Sequence, residues 1–121
     1  MDLGDRPLVR VMMTLDPGVP TLGPRTVYLT ALLDSGADVT VIAERDWPFQ
    51  WPKVATSKVL IGVGGEMTTS VSDAEVGISI INRDGSIEKT VFITPNIAPI
   101  RGSLLGRDLL LLIGLRLTNL S

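Results

Sequence analysis

The sequence predicts an all-β domain with one short helix near the C-terminus. Twelve Gly and eight Pro are spread along its 121 residues and divide it into short segments that suit strands and turns. Within several segments the apolar residues recur with a period of two, as the buried face of a strand requires. Only residues 107–113 favour a helix, because they are rich in Leu and are followed by Gly114 as a stop signal. Since a domain commonly has about 100–150 residues, we expect residues 1–121 to form a single one.

The individual strand predictions rest on this alternation and on the turn residues between segments. In residues 27–33 the odd-numbered side chains share one face and the even-numbered ones share the other. Residues 82–85 are a turn signal between the two arms of a hairpin. The loop 46–52 carries Trp47 and Trp51, whose large rings we expect to be buried. The other predicted strands are residues 8–13, 39–43, 58–63, 67–71, 74–81, 86–94 and 115–120.

The composition excludes several classes of chemistry. The chain has no His and no Cys, which rules out Ser-His and Cys-based nucleophiles, His-ligated zinc, iron–sulfur clusters and disulfides. Eleven Lys and Arg against thirteen Asp and Glu, without a basic block, make neither nucleic acid nor an anionic membrane an expected partner. The most apolar run, residues 104–114, is too short and too interrupted to span a membrane. The first residues lack the pattern of a signal peptide, so we expect a soluble chain that is not exported by its own leader.

The most informative segment is Asp34-Ser35-Gly36, which stands directly after the apolar pair Leu32-Leu33. A carboxyl group at the end of an apolar strand lies beside the core, and the glycine allows a sharp turn of the backbone. The same triplet is also typical of an ordinary turn. On this motif alone, a catalytic carboxylate and a plain turn residue both stay open as interpretations of Asp34.

Three motifs taken together resemble the retroviral aspartic proteases, or retropepsins. They are residues 33–38 (Leu-Asp-Ser-Gly-Ala-Asp), 62–65 (Gly-Val-Gly-Gly) and 104–109 (Leu-Leu-Gly-Arg-Asp-Leu), in the family's order and at about its spacing. Residues 6–9 and 114–120 extend the resemblance over nearly the whole chain. Residues 46–48 and the turn 82–86 make it most similar to the avian alpharetrovirus type.

The resemblance implies a closed, barrel-like subunit with one C-terminal helix, assembled as a two-fold symmetric homodimer. Aspartic proteolysis needs two carboxyl groups that share one proton around a water molecule. This chain has one suitable motif, because Asp84-Gly85 lacks an apolar lead-in. Asp34 of each copy would therefore meet at the two-fold axis, and residues 115–120 of the two copies would interleave into a sheet.

The resemblance also implies residue roles. Asp34 would be the acid/base catalyst, and Ser35, where many family members carry Thr, would bond to the partner's copy of the same loop. Asp38 would receive substrate backbone groups and pair with Arg107 and with the other subunit's Arg6. The implied site comprises the active-site loop (Ser35, Gly36, Ala37, Asp38), the flap (Ile61, Gly62, Val63, Gly64, Gly65), the substrate pockets (Val39, Val41, Leu60, Leu104) and the structural ion pair (Arg6, Arg107).

The implied activity is cleavage of viral Gag and Gag-Pol polyproteins at apolar junctions, on the acidic side of neutral. The nucleophile would be water, so neither a metal nor an organic cofactor is expected. The protein would act in the virion or the infected cell after release from a Gag-containing polyprotein. Two alternatives stay open: a catalytically silent dimeric peptide-binding module of the same fold, and a trimeric metal-dependent nucleotide hydrolase. The second is disfavoured because carboxylates are not clustered at metal-ligand spacing.

Overall fold

The computed structural model describes residues 7–62 and 65–114 of the chain. This part contains nine strands, a 3₁₀ turn at Glu44–Asp46 and one α-helix, α1, at Arg107–Ile113. The strands are β1 (Leu8–Leu15), β2 (Thr26–Leu33), β3 (Val41–Ala43), β4 (Lys53–Gly62), β5 (Gly65–Ser72), β6 (Val76–Ile81), β7 (Ile87–Ile93), β8 (Asn96–Ala98) and β9 (Ser103–Leu105). The predicted all-β class with one short helix is confirmed. Over the described ranges, no helix is long and apolar enough to cross a membrane.

All nine strands belong to one sheet, in the order β4-β5-β8-β3-β9-β2-β1-β6-β7. At its centre β2 pairs antiparallel with β1 and parallel with β9. β3 lies between β8, with which it is parallel, and β9, with which it is antiparallel. Because Leu33 pairs with Leu105 at the ends of β2 and β9, the segments that follow these two strands start side by side.

The sheet is open, and the expectation of a closed barrel is wrong. Its two end strands, β4 and β7, stand at opposite ends of the strand order in the part of the chain that the structure describes. A closed barrel requires its first and last strands to pair with each other at a fixed stagger, and no such pair joins β4 and β7 in this part of the chain. Among the described residues β5 meets β8 through two residue pairs, so most of the β4–β5 hairpin extends past β8 at this edge of the sheet.

The core lies under one face of β1, β2 and β6. In β2, Leu29, Ala31 and Leu33 are buried while Tyr28 and Thr30 are exposed, which confirms the predicted alternation. The neighbouring strands β1 and β6 contribute the buried side chains of Val11, Met13, Leu15, Val76 and Ile78. Burial of these aliphatic groups is the main force that orders the sheet.

Trp47 and Trp51 anchor the loop after β3, as predicted. Both rings are buried and meet edge to face, with centroids 5.3 Å apart and an interplanar angle of 85°. Trp51 donates its indole N–H to the carbonyl of Pro24 at 2.8 Å, so the ring satisfies its polar atom within the core. The loop is therefore fixed to the segment that precedes β2.

Several element boundaries differ from the prediction. β3 begins at Val41 rather than at residue 39, because Thr40 donates its N–H to the carboxylate of Asp108 instead of to a neighbouring strand. β4 begins at Lys53, earlier than the predicted residue 58. The helix prediction is confirmed, and Gly114 ends α1 in the left-handed conformation with φ of 77°. The predicted strand 115–120 lies outside the described residues.

Candidate active site

Asp34 stands at the point where β2 ends, beside the end of β9. Its backbone N–H donates to the carbonyl of Leu105 at 3.0 Å, which ties the residue to the neighbouring strand. Its Oδ1 accepts the N–H of Gly36 at 3.0 Å, and its carbonyl accepts the N–H of Ala37 at 3.1 Å. The loop therefore folds tightly around a half-buried carboxylate, while the Ser35 side chain is exposed.

The first turn of α1 holds the loop from the other side. The first N–H groups of a helix have no partner within the helix. Here Arg107 donates its backbone N–H to the carbonyl of Ala37 at 2.8 Å, and Asp108 donates its backbone N–H to the carbonyl of Asp38 at 3.3 Å. Gly106 permits this approach, because a Cβ at that position would lie 2.5 Å from the backbone carbonyl of Val39.

The predicted ion pair between Arg107 and Asp38 is present. Arg107 donates from Nη2 to Oδ1 of Asp38, and the two side chains are 56% and 78% exposed. Because solvent screens an exposed pair, it adds little to the stability of the fold. The second predicted partner, Arg6, lies outside the described residues.

Two residues that the sequence analysis missed join the loop to the helix. Thr40 is fully buried and donates its hydroxyl to Oδ1 of Asp108 at 2.8 Å and its backbone N–H to Oδ2 at 3.1 Å. Its hydroxyl oxygen accepts the N–H of Gly106 at 3.1 Å. Asp108 also accepts the N–H of Leu109 at 2.7 Å. The available signal was an Asp in the first turn of a predicted helix, where a carboxylate is favourable, but nothing in the sequence indicates that its partner lies 68 positions away.

The residues predicted to line substrate pockets occupy two places. Val39 and Leu104 are half-buried near the loop, and Val41 is buried and pairs with Leu104 between β3 and β9. Leu60 and Ile61 belong to β4, in the part of the hairpin that extends past β8.

The predicted flap is the end of this β4–β5 hairpin. Gly62 and Gly65 are its last paired residues, and Val63 and Gly64 between them lie outside the described residues. Over residues 7–62 and 65–114, no group of three or more acidic side chains could hold a metal ion.

Comparison with known proteins agrees with this architecture. The family model of the retroviral aspartyl protease matches residues 3–118. The Gag polyprotein of Rous sarcoma virus subgroup B (strain Schmidt-Ruppin) is 50% identical over 121 residues, which cover 99% of this chain and 17% of that protein. The Gag-Pol polyprotein of avian leukosis virus subgroup A (isolate RSA) is 49% identical, over 99% of this chain and 8% of that protein. The chain thus spans less than a fifth of these curated relatives.

A solved structure extends the agreement to the fold. The EIAV protease in complex with the inhibitor HBY-793 superposes with a TM-score of 0.69 and 25% identity, over 97% of this chain and 96% of that one. The matched family consists of aspartic endopeptidases, and the Asp-Ser-Gly loop of this chain lies between the core strand β2 and the helix α1. The chain belongs to the retroviral aspartyl protease family.

Proposed function

We propose that the chain is one subunit of a homodimeric aspartic endopeptidase that cleaves a viral polyprotein at apolar junctions. The observation that carries the proposal is Asp34, a half-buried carboxylate fixed by Leu105 and Gly36 at the end of a core strand. Its position in a chain of this family supports a catalytic role. The whole chain, residues 1–121, would form the subunit.

The chemistry requires a second carboxylate. When two carboxyl groups share one proton, the ionised one removes a proton from a water molecule, and the protonated one hydrogen-bonds to the scissile carbonyl. The resulting hydroxide adds to the carbonyl carbon, and proton transfer to the amide nitrogen lets the C–N bond break. One chain supplies one Asp34, so a second copy related by a two-fold axis would supply the other.

The side chains near the loop suggest the substrate class. Val39, Val41 and Leu104 are all aliphatic, and Val39 and Leu104 are half-buried, so pockets that they form would accept apolar groups. Such pockets discriminate weakly, by about 1–3 kcal/mol per methylene. An extended peptide would lie as an added strand beneath the β4–β5 hairpin. Since the relatives are Gag and Gag-Pol polyproteins, we place the activity in the virion or infected cell, after release during maturation.

The test is replacement of the proposed catalyst. Asp34→Asn keeps the shape of the side chain but removes its acid/base function, so we expect cleavage of peptides from a Gag polyprotein to fall by about a hundredfold or more. Asp84→Asn is the matched control, since its exposed turn takes no part in the proposed chemistry, and its activity should equal that of the wild type. Mass spectrometry of the peptides with and without pepstatin, and sedimentation equilibrium, would measure cleavage and assembly.

Two results would overturn the proposal. If Asp34→Asn still cleaves at the wild-type rate, the mechanism is wrong. If the unmodified chain dimerises and binds the peptides but does not cleave them, the protein is a silent binding module.

A further inference from the structure

Two buried hydroxyl groups bridge β3 and β9 at opposite ends. At one end the Thr40 hydroxyl accepts the N–H of Gly106, directly after β9, and donates to Asp108. At the other end the Ser103 hydroxyl accepts the N–H of Ala43, the last residue of β3, at 2.9 Å and donates to Asp46 at 2.8 Å. β3 and β9 share a single residue pair, so these bridges supply much of the bonding between the two strands.

The bridge through Thr40 requires a carboxylate at position 108. Oδ1 of Asp108 faces the hydroxyl of Thr40 and the N–H of Leu109, and Oδ2 faces the N–H of Thr40. Three donors thus converge on two oxygens. An amide in this place would point its own N–H groups at one of these donors, because one end of an Asn side chain donates only.

The same end is connected to the proposed catalytic carboxylate. Residues 34–40 are fixed at their start by the bond from the N–H of Asp34 to Leu105 and at their end by the bonds from Thr40 to Asp108. Gly106, which Thr40 holds, directly follows the Leu105 whose carbonyl binds Asp34. The Ser103 end is farther along both strands, and its hydroxyl is hydrogen-bonded to Ala43 and Asp46, which lie outside this loop.

We propose that Asp108, acting through Thr40, is a positioning residue for Asp34. This inference rests on the proposed function, because it assigns to Asp108 the placement of the catalytic carboxylate. Ser103 and Asp46, by contrast, hold the same two strands together without setting the position of the loop.

Four variants of the full chain separate the two ends. Thr40→Val removes the hydroxyl, and Asp108→Asn replaces one acceptor with a donor. We expect each to lower kcat by about tenfold or more, the scale of a lost hydrogen bond to a charged group, with a smaller change in KM. Thr40→Ser retains the hydroxyl and should keep kcat within about twofold of wild type. Ser103→Ala, the matched control, should lower Tm by a similar amount to Thr40→Val and leave kcat within about twofold.

A second measurement does not depend on activity. In an Asp34→Asn background, amide hydrogen exchange at residues 34 and 37 reports whether the loop is held. Adding Asp108→Asn should accelerate exchange at these two amides by about tenfold or more, and adding Ser103→Ala should not.

The results distinguish this inference from the proposed function. If folded Asp108→Asn and Thr40→Val keep kcat within about twofold of wild type, or if Ser103→Ala lowers kcat equally, the positioning role is refuted. If Asp34→Asn is itself active, the proposed function fails. The exchange rates at residues 34 and 37 then decide whether Asp108 holds the loop. If adding Asp108→Asn leaves these rates unchanged, the positioning role is refuted.

Discussion

The segments Asp34-Ser35-Gly36 and Asp84-Gly85-Ser86 contain the same three residue types and have similar local structure. In each, Oδ1 of the Asp accepts the N–H of the residue two positions later, at 3.0 Å in the first and 2.9 Å in the second. Their surroundings differ. The first loop is bonded to β9 and to α1, whereas the second closes its own hairpin through backbone bonds between residues 82, 85 and 86.

The difference in bonding distinguishes an ordinary turn from a candidate active-site loop. The Asp84 turn satisfies its groups within five residues and projects into solvent. The Asp34 loop has backbone bonds to segments about 70 positions away, and these fix the direction of its carboxylate relative to the sheet. A catalytic group must be held in place, so anchoring to distant segments, as in the Asp34 loop, suits catalysis, and a self-contained turn does not.

The largest expected effect comes from separating the loop from α1. In Gly106→Ala the new Cβ would lie 2.5 Å from backbone atoms of Val39, which cannot move as a flexible side chain does. We expect a loss of about 3 kcal/mol or more in the free energy of unfolding, with loss of activity. Urea unfolding at a fixed protein concentration measures the effect.

Gly102→Ala, on the other side of β9, is the matched control. A Cβ there would have no atom within 4 Å, so its free energy of unfolding should stay within about 0.5 kcal/mol of wild type. Equal stability of the two variants would contradict the close packing of loop and helix.

Much of this arrangement could be predicted from the sequence where the determinants are local. Period-two alternation identified β2 and its buried face, and Leu-rich composition with Gly114 identified α1. The apolar pair before Asp34 distinguished this residue from Asp84, and the resemblance to retropepsins predicted the pairing of Arg107 with Asp38.

Features that depend on distant contacts could not be predicted in the same way. β8 and β9 have three residues each, too few for periodicity to register, and they are ordered by pairing with distant strands, β8 with β3 and β9 chiefly with β2. The bonds of Thr40 to Asp108 join positions that only the folded chain brings together. The open sheet follows from the strand order over the described residues, which leaves β4 and β7 at opposite ends and which the resemblance did not reveal.

A smaller effect is expected from the side chain of Arg107. Its pairing with Asp38 is exposed, whereas its backbone N–H, which holds Ala37, does not depend on the side chain. Arg107→Ala should therefore lower the free energy of unfolding by at most about 1 kcal/mol, and by less in about 1 M salt. Arg83→Ala, an exposed arginine of the Asp84 turn, is the control. A loss as large as that of Gly106→Ala would mean that the ion pair, not the backbone, holds the loop.

The smallest effect concerns the Asp84 turn itself. The hydroxyl and the backbone N–H of Ser86 lower the pKa of the Asp84 carboxyl from its ordinary value of 3.8. A lowered pKa contributes stability above the unfolded-state pKa, and this contribution is lost as the pH falls through the folded-state pKa. Any pH dependence of the free energy of unfolding from Asp84 therefore lies below about pH 4.

In Ser86→Ala the N–H remains and the hydroxyl is gone, so the pKa of Asp84 should rise toward 3.8 without reaching it. Carboxyl NMR titration of both proteins measures this shift, and identical titration curves would contradict the assignment. Because the turn is self-contained, amide exchange at residues 34 and 37 should be the same in both proteins.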